Sequence, residues 1–134
     1  SHSGCGKTSV ASGLMRLLTN RGLRVAPFKV GPDFLDPLWH AAAVAGGSAR
    51  GSTNLDGWLH GEEGLRRCFS AACAGADIAI VEGVMGLFDG KDGVSEEGST
   101  AQVAKLIGAP VLLVLDCYAL SRSVAALAHG YSTF

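Results

Sequence analysis

The segment Gly4-Cys5-Gly6-Lys7-Thr8 lies directly before a stretch whose apolar residues recur at helical spacing. That spacing predicts a helix over residues 7–21, which Gly22 is placed to end. Glycines let consecutive backbone N–H groups point at one anion, and the N-terminus of the helix adds a favourable dipole. The segment therefore predicts a phosphate-binding loop, which in α/β folds connects a strand to a helix.

Residues 1–8 match the pattern G-x-x-x-x-G-K-[ST] except at its first position, where Ser1 replaces glycine. In such loops the lysine neutralises charge on the β- and γ-phosphates, and the Ser or Thr hydroxyl ligates Mg²⁺. A plain glycine-rich helix cap is the alternative, which the α/β context disfavours. ATP and Mg²⁺ are the expected ligands, and the predicted phosphate contacts are Ser3, Gly4, Cys5, Gly6, Lys7, Thr8 and Ser9.

Strand patterns alternate with helical patterns along the rest of the chain, which indicates an α/β fold with a mainly parallel sheet flanked by helices. Pro27 removes one ladder donor from the first strand and favours an edge position or an irregular strand. The Gly46–Thr53 and Gly83–Gly98 stretches are predicted loops. The predicted strands are Arg24–Val30, Ile78–Val81 and Val111–Asp116, and the further helices are Pro37–Val44, Glu62–Ala74, Ser99 or Thr100 to Ile107, and one from Ser121.

Composition excludes several classes of protein. Of the 134 residues, 48% are hydrophobic and 17% charged, which is too apolar for a disordered chain. The net charge of −1 lacks the basic excess typical of nucleic-acid binding, and no run approaches the roughly 18 apolar residues of a membrane span. We expect a cytoplasmic protein without a nucleic-acid or membrane partner, with reduced thiols at Cys5, Cys68, Cys73 and Cys117.

Carboxylates follow two of the predicted strands. Glu82 closes an apolar strand and Asp33 follows another, so both are predicted to join Thr8 around Mg²⁺ at the carboxyl edge of the sheet. Lys29 lies near the end of the first strand and is predicted to contact phosphates or a substrate carboxylate, with a surface lysine as the alternative. Asp36 lies close enough to Asp33 for one turn to direct both toward one site.

Four ordered segments resemble the cobyrinate a,c-diamide synthases, an ATP-dependent, glutamine-hydrolysing family of cobalamin biosynthesis. The resemblance covers nearly the whole chain, and four ordered motifs are more specific than a phosphate loop alone. The segments are SGCGKTS at 3–9, PFKVGPDFLDP at 27–37, NLDGW at 54–58, and EGVMGLFDGKDG followed by SEEGSTA within 82–101.

The resemblance implies a dethiobiotin-synthetase-like P-loop domain in a ligase that forms carbon–nitrogen bonds. ATP would phosphorylate the a and c carboxylates of a corrinoid, and ammonia derived from glutamine would capture each acyl phosphate. The implied catalytic residues are Lys7, Lys29, Asp33, Asp36 and Asp89, and the implied metal ligands are Thr8, Asp33 and Glu82. Phe34, Trp39 and Phe88 are candidates for contact with the faces of the tetrapyrrole.

The resemblance also implies a longer enzyme. Residues 1–134 would be a partial ATP-binding domain, incomplete at both ends, whose first strand and C-terminal glutamine amidotransferase domain lie outside this chain. We expect such a piece alone to be marginally stable and inactive with glutamine, and a homodimer is left open.

Three other functions are weighed against this one. Nickel-sirohydrochlorin a,c-diamide synthases have very similar motifs, whereas cobyric acid synthases share the P-loop and a PFK segment but differ after the lysine. Partitioning and septum-site ATPase switches form a different class, and they carry a signature lysine where this chain has His2.

Overall fold

The computed structural model of the chain describes residues 2–46 and 51–134. Three strands in the described part form a parallel sheet in the order β2-β1-β3, which confirms the predicted α/β fold. Ser1 and residues 47–50 of the predicted Gly46–Thr53 loop lie outside the described residues. The elements are α1 (Lys7–Asn20), β1 (Val25–Val30), α2 (Asp36–Val44), β2 (Thr53–Leu55), α3 (Gly57–Ala72), β3 (Ile78–Glu82), α4 (Thr100–Ile107) and α5 (Val124–Thr133).

Strand β1 is the centre of the molecule, and all six of its residues are buried. Alternate side chains point to opposite faces of a strand. Ala26, Phe28 and Val30 contribute to a core shared with α3 and α4, and the Phe28 ring lies 5.0 Å from that of Phe69. Val25 contributes to a second core on the other face, with α1 and α2. Lys29 therefore extends toward α1 and α2.

The edge position predicted from Pro27 is wrong, because β1 lies between two strands. In a parallel strand every second N–H group points to the same neighbouring strand. The Gly31 N–H donates to the Leu55 carbonyl of β2, so the nitrogen of Pro27, four residues earlier, also faces β2. The pairing of β1 with β2 begins only at Phe28 and Thr53. Proline is tolerated because the described ladder requires no donor at its position.

The predicted helices are confirmed, with shifts at some ends. Gly22 follows α1 with a φ of 85°, and the Ser99 hydroxyl accepts a hydrogen bond from Gln102 N–H at the start of α4. Helix α3 begins five residues before the prediction, since Asp56 caps it and Gly61 carries a kink at φ 64°. Strand β2 has only three residues, too few to show a pattern in the sequence.

The strand predicted over Val111–Asp116 is wrong. These residues belong to no strand, and Val111 and Leu112 are half or more exposed. An apolar run supplies hydrophobicity but not a hydrogen-bonding neighbour, and a strand needs both. β3 is likewise only partly covered, with Ile78 36% exposed, rather than buried on both faces.

The Gly83–Gly98 loop is confirmed as lacking helix and strand, and it folds back on itself. Lys91 N–H donates to the Glu97 carbonyl and Ala101 N–H to that of Leu87. A side chain at Gly90 would overlap the Glu97 carbonyl, so glycine permits this closure. None of the described helices has the length and apolar character needed to cross a membrane.

One ion pair joins the starting ends of β1 and β3. The Arg24 guanidinium donates to both carboxylate oxygens of Asp77, at 2.7 and 3.1 Å, and the Arg24 N–H also donates to this carboxylate. The hydrogen bonds from Arg24 lower the pKa of Asp77 to about 2. Because its pKa in an unfolded chain is 3.8, the pair contributes stability above that value and loses it as the pH falls toward 2.

We predict that Asp77→Asn makes the free energy of unfolding less dependent on pH in this acidic range. Urea unfolding of both proteins between about pH 5 and pH 2.5 measures the effect. The difference in stability between wild type and variant should shrink as the pH falls. An unchanged difference throughout the range would contradict the prediction.

Candidate functional site

The loop before α1 is built from glycine conformations. Gly4 and Gly6 have φ values of 84° and 93°, and no atom would crowd a side chain at either position. Glycine is therefore favoured there by backbone conformation rather than by space. The Lys7 Nζ donates to the His2 carbonyl at 2.7 Å, so the lysine lies over its own loop. The exposed N–H-rich loop and the adjacent ammonium form a surface suited to an anion.

Thr8 in the first turn of α1 connects this loop to the end of β3. Its hydroxyl donates to Glu82 Oε1 at 2.5 Å. Glu82 is the last residue of β3, and its side chain is 1% exposed. The predicted proximity of Thr8 and Glu82 at the carboxyl edge of the sheet is confirmed.

Lys29 faces Glu82 across the sheet, because these two residues are register partners on β1 and β3. The Lys29 Nζ lies 3.1 Å from Glu82 Oε1 and 2.5 Å from Asp36 Oδ2 at the start of α2. Its side chain is 5% exposed, so it is not a surface lysine. One buried ammonium is therefore held between a buried carboxylate, Glu82, and a partly exposed one, Asp36.

His40 of α2 completes the cluster. The ring is fully buried, with Nε2 2.6 Å from Glu82 Oε2 and Nδ1 2.9 Å from the Ser52 hydroxyl. Both oxygens of Glu82 thus have partners, Oε1 with Thr8 and Lys29 and Oε2 with His40. We call the five side chains of Thr8, Lys29, Asp36, His40 and Glu82 the Glu82 cluster.

The cluster favours the charged forms of its central pair. Burial alone would raise the pKa of Glu82, but hydrogen bonds from His40 and Thr8 and the charge of Lys29 hold it below its ordinary value. Burial would lower the pKa of Lys29, but the hydrogen bond to Asp36 and the charge of Glu82 raise it instead. Both groups are therefore ionised at neutral pH.

The other predicted carboxylates have local hydrogen-bond partners. Asp33 Oδ1 accepts from the N–H groups of Leu35 and Asp36, which starts α2, and the Asn54 amide donates to the Asp33 carbonyl. Asp89 accepts from Gly86 N–H in the Gly83–Gly98 loop and is exposed. The predicted roles of Asp33 in a metal site and of Asp89 in catalysis stay predictions.

The three aromatic candidates lie in different surroundings. Phe34, two residues before α2, and Trp39, in the first turn of α2, are 88% and 64% exposed. Phe88 instead packs against Tyr131 and Phe134, with ring centroids 5.9 and 5.0 Å away. Phe34 and Trp39 thus present accessible apolar surface near the Glu82 cluster.

His40 is absent from the site residues predicted from the sequence. A signal was present, because Asp36 and His40 are four residues apart and such positions share one face of a helix. Ser52 carried no comparable signal, since its contact with the ring depends on how α2 and β2 are arranged.

An apolar groove of about 350 Å³ leads from the cluster along β3. One wall is β3 and the other is segment 109–114, which belongs to no helix or strand, and Val10 and Leu14 of α1 also line the groove. Lys7 and Glu82 contribute to its lining as well. The groove therefore continues from the phosphate loop and the Glu82 cluster into an apolar space.

Comparison with known proteins gives one consistent result. The CobQ/CobB/MinD/ParA nucleotide binding domain family matches residues 1–134. The chain is 55% identical over 132 residues to the cobyrinate a,c-diamide synthase of Syntrophotalea carbinolica, covering 98% of the chain and 28% of the relative. It is 57% identical over 129 residues to the hydrogenobyrinate a,c-diamide synthase of Streptomyces coelicolor, covering 96% and 26%.

A third relative is the hydrogenobyrinate a,c-diamide synthase of Mycobacterium tuberculosis, 53% identical over 136 residues, with 98% of the chain and 29% of the relative covered. The chain thus spans between a quarter and a third of the length of these curated relatives. No solved structure gives a significant match.

We predict that Lys29→Met lowers the free energy of unfolding by about 3 to 5 kcal/mol, because it leaves the buried carboxylate of Glu82 and the partly buried one of Asp36 without their cation. Lys105→Met is the matched control, since Lys105 pairs with Glu96 on the surface and its side chain is 68% exposed. Its loss should cost less than about 1 kcal/mol. Urea unfolding followed by tryptophan fluorescence measures both, and equal losses would contradict a buried ion cluster.

Proposed function

Because the chain belongs to the CobQ/CobB/MinD/ParA nucleotide binding domain family, we propose that it is the ATP-binding part of a cobyrinate or hydrogenobyrinate a,c-diamide synthase. The whole enzyme would convert the a and c carboxylates of the corrinoid to amides at the expense of ATP, with ammonia from glutamine. The observation that carries this proposal is the identity of 53–57% to synthases of these two names over nearly the whole chain.

Residues 3–9 would bind the phosphates of ATP. The left-handed conformations of Gly4 and Gly6 allow backbone N–H groups to converge on phosphate oxygens. Lys7 must leave the His2 carbonyl to reach a phosphate, and exchanging a neutral acceptor for a charged one favours that movement. The chain itself therefore supplies both the N–H groups and the cation that offset the phosphate charge.

Mg²⁺ fits the donors that lie beside this loop. The Thr8 hydroxyl and the Glu82 carboxylate are oxygen ligands, which Mg²⁺ prefers, and both lie at the edge of the sheet. No cluster of three or more His, Cys, Asp or Glu side chains arranged for a metal occurs in the described part of the chain. That agrees with Mg²⁺, which is usually held by one or two carboxylates together with nucleotide phosphates. When bound, the ion would neutralise phosphate charge, and Asp33 is a further proposed ligand.

The substrate would be positioned by one lysine and three carboxylates, which are Lys29, Asp33, Asp36 and Asp89. A carboxylate that attacks the γ-phosphate is repelled by it, so cations must lie close to both groups. Lys29 keeps its charge inside the protein because Asp36 and Glu82 hold it. The exposed aromatic rings of Phe34 and Trp39 would pack against the macrocycle next to these groups.

The proposal includes parts of the enzyme that these residues do not contain. A further strand would fill the apolar groove between β3 and segment 109–114, adding a neighbour to β3 and placing the phosphate loop at its end. A glutamine amidotransferase domain would supply ammonia. The chain spans 28% and 26% of the length of two of these relatives, and the remaining length is sufficient for both parts.

The test uses the full-length protein with ATP, Mg²⁺ and cobyrinate or hydrogenobyrinate, with either glutamine or ammonium chloride as nitrogen source. Mass spectrometry should detect two amidations from either source. Amidation with ammonium but not glutamine would refute the glutaminase domain alone. Amidation of nickel-sirohydrochlorin in preference to either corrinoid, or ATP turnover that no tetrapyrrole affects, would refute the proposed substrate.

We predict that Lys7→Ala weakens binding of ATP roughly thirtyfold, because a charge-assisted contact of about 2 kcal/mol is lost. Lys105→Ala is the control, as it removes an exposed lysine of α4 and should leave ATP affinity unchanged. Calorimetric titration with a non-hydrolysable ATP analogue measures both.

Asp33→Asn and Glu82→Gln should abolish amidation, and full activity of Glu82→Gln would remove that residue from the metal site.

A further inference from the structure

We propose that His40 is a positioning residue, which together with Ser52 orients the Glu82 carboxylate so that Oε1 faces Thr8 and the cation of the bound nucleotide. This inference rests on the proposed function, because it assigns His40 a role toward the ion that Thr8 and Glu82 would hold.

Both ring nitrogens of His40 have partners among the described residues. His40 is 0% exposed, and its two nitrogens lie 2.6 Å from Glu82 Oε2 and 2.9 Å from the Ser52 hydroxyl. A ring with its proton on Nε2 donates to the carboxylate, while Nδ1 accepts the Ser52 hydroxyl proton. One tautomer thus satisfies all three groups. The Glu82 carboxylate, which can only accept, selects this tautomer, and the Ser52 hydroxyl stabilises it by donating to Nδ1.

The two oxygens of Glu82 thereby have separate tasks. Oε1 contacts Thr8 and Lys29 at the edge that faces the phosphate loop, whereas Oε2 is held by His40 behind it. Without this donor, Oε2 would lose the hydrogen bond that the described residues give it, and rotation of both oxygens toward Lys29 would then be energetically favoured. That rotation would close the salt bridge and withdraw the carboxylate from Thr8.

Helix α2 provides both restraints from one face. Asp36 contacts Lys29, and His40, one turn later, contacts Glu82. The two partners of the register pair are therefore each held from α2, and neither depends on the other alone. Lys29 contributes one positive charge, and Asp36 and Glu82 contribute two negative charges, so a divalent cation beside Glu82 is electrostatically favoured.

The test measures the Mg²⁺ concentration that half-saturates binding of a fluorescent, non-hydrolysable ATP analogue by the full-length protein. Removal of a side chain that orients a metal ligand typically weakens metal affinity 10- to 100-fold. We expect a shift of about that size for His40→Leu and of a few-fold for Ser52→Ala. His40→Gln places an amide donor near the position of Nε2 and should recover most of the affinity. Binding measured in EDTA should stay at the wild-type level.

His129→Leu is the matched control, because His129 lies exposed on α5 and should leave the Mg²⁺ dependence unchanged. A wild-type Mg²⁺ dependence in His40→Leu would overturn the proposal. Equal losses of Mg²⁺ affinity in His40→Leu and His40→Gln, with analogue binding in EDTA also lost, would overturn it too, because that pattern indicates a purely structural role. If His40→Leu does not fold, Ser52→Ala and His40→Gln decide, and an unshifted Ser52→Ala overturns the proposal. If the wild-type protein itself binds the analogue equally well in Mg²⁺ and EDTA, the metal site of the proposed function fails first, and this inference fails with it.

Discussion

Lys29 and Glu82 face each other across two neighbouring strands, and each lowers the cost of burying the other's charge. A buried ammonium or carboxylate that lacks partners costs several kcal/mol. The pair is arranged by sheet register, since both residues lie on the face of the sheet that α1 and α2 cover. A slip of one residue in β3 would turn Glu82 to the opposite face and leave Lys29 with Asp36 alone. The geometry of the site therefore depends on the strand register, and the ion pair of the site in turn stabilises that register.

The two lysines near the loop show how position divides their roles. Lys29 is buried and held by two carboxylates, so its charge is fixed in place. Lys7 lies partly exposed over a loop carbonyl and is free to exchange that contact for a stronger one. The buried charge of Lys29 and the exchangeable contact of Lys7 suit reversible binding of an anionic ligand. The two lysines therefore differ in their partners, which are a neutral loop carbonyl for Lys7 and two carboxylates for Lys29.

Much of this arrangement follows from sequence, and the exceptions have physical causes. The glycine loop, α1 and the approach of Glu82 to Thr8 were predictable, because the conformations of Gly4 and Gly6 and the termination of an apolar strand by a charge are local properties. The positions of Pro27 and of segment 111–116 were not, because each depends on which strand lies alongside. His40 falls between these cases. Its spacing from Asp36 was visible, but its bond to Glu82 arises only when α2 packs beside the end of β3.

The unpaired side of β3 has a consequence for handling these 134 residues by themselves. Within the described part of the chain, β3 pairs with β1 alone, and its other edge borders the apolar groove. A strand edge with free N–H and C=O groups beside apolar surface is a template for pairing with any other extended chain. Molecules of the isolated segment would associate through these edges, so its aggregation should increase with protein concentration.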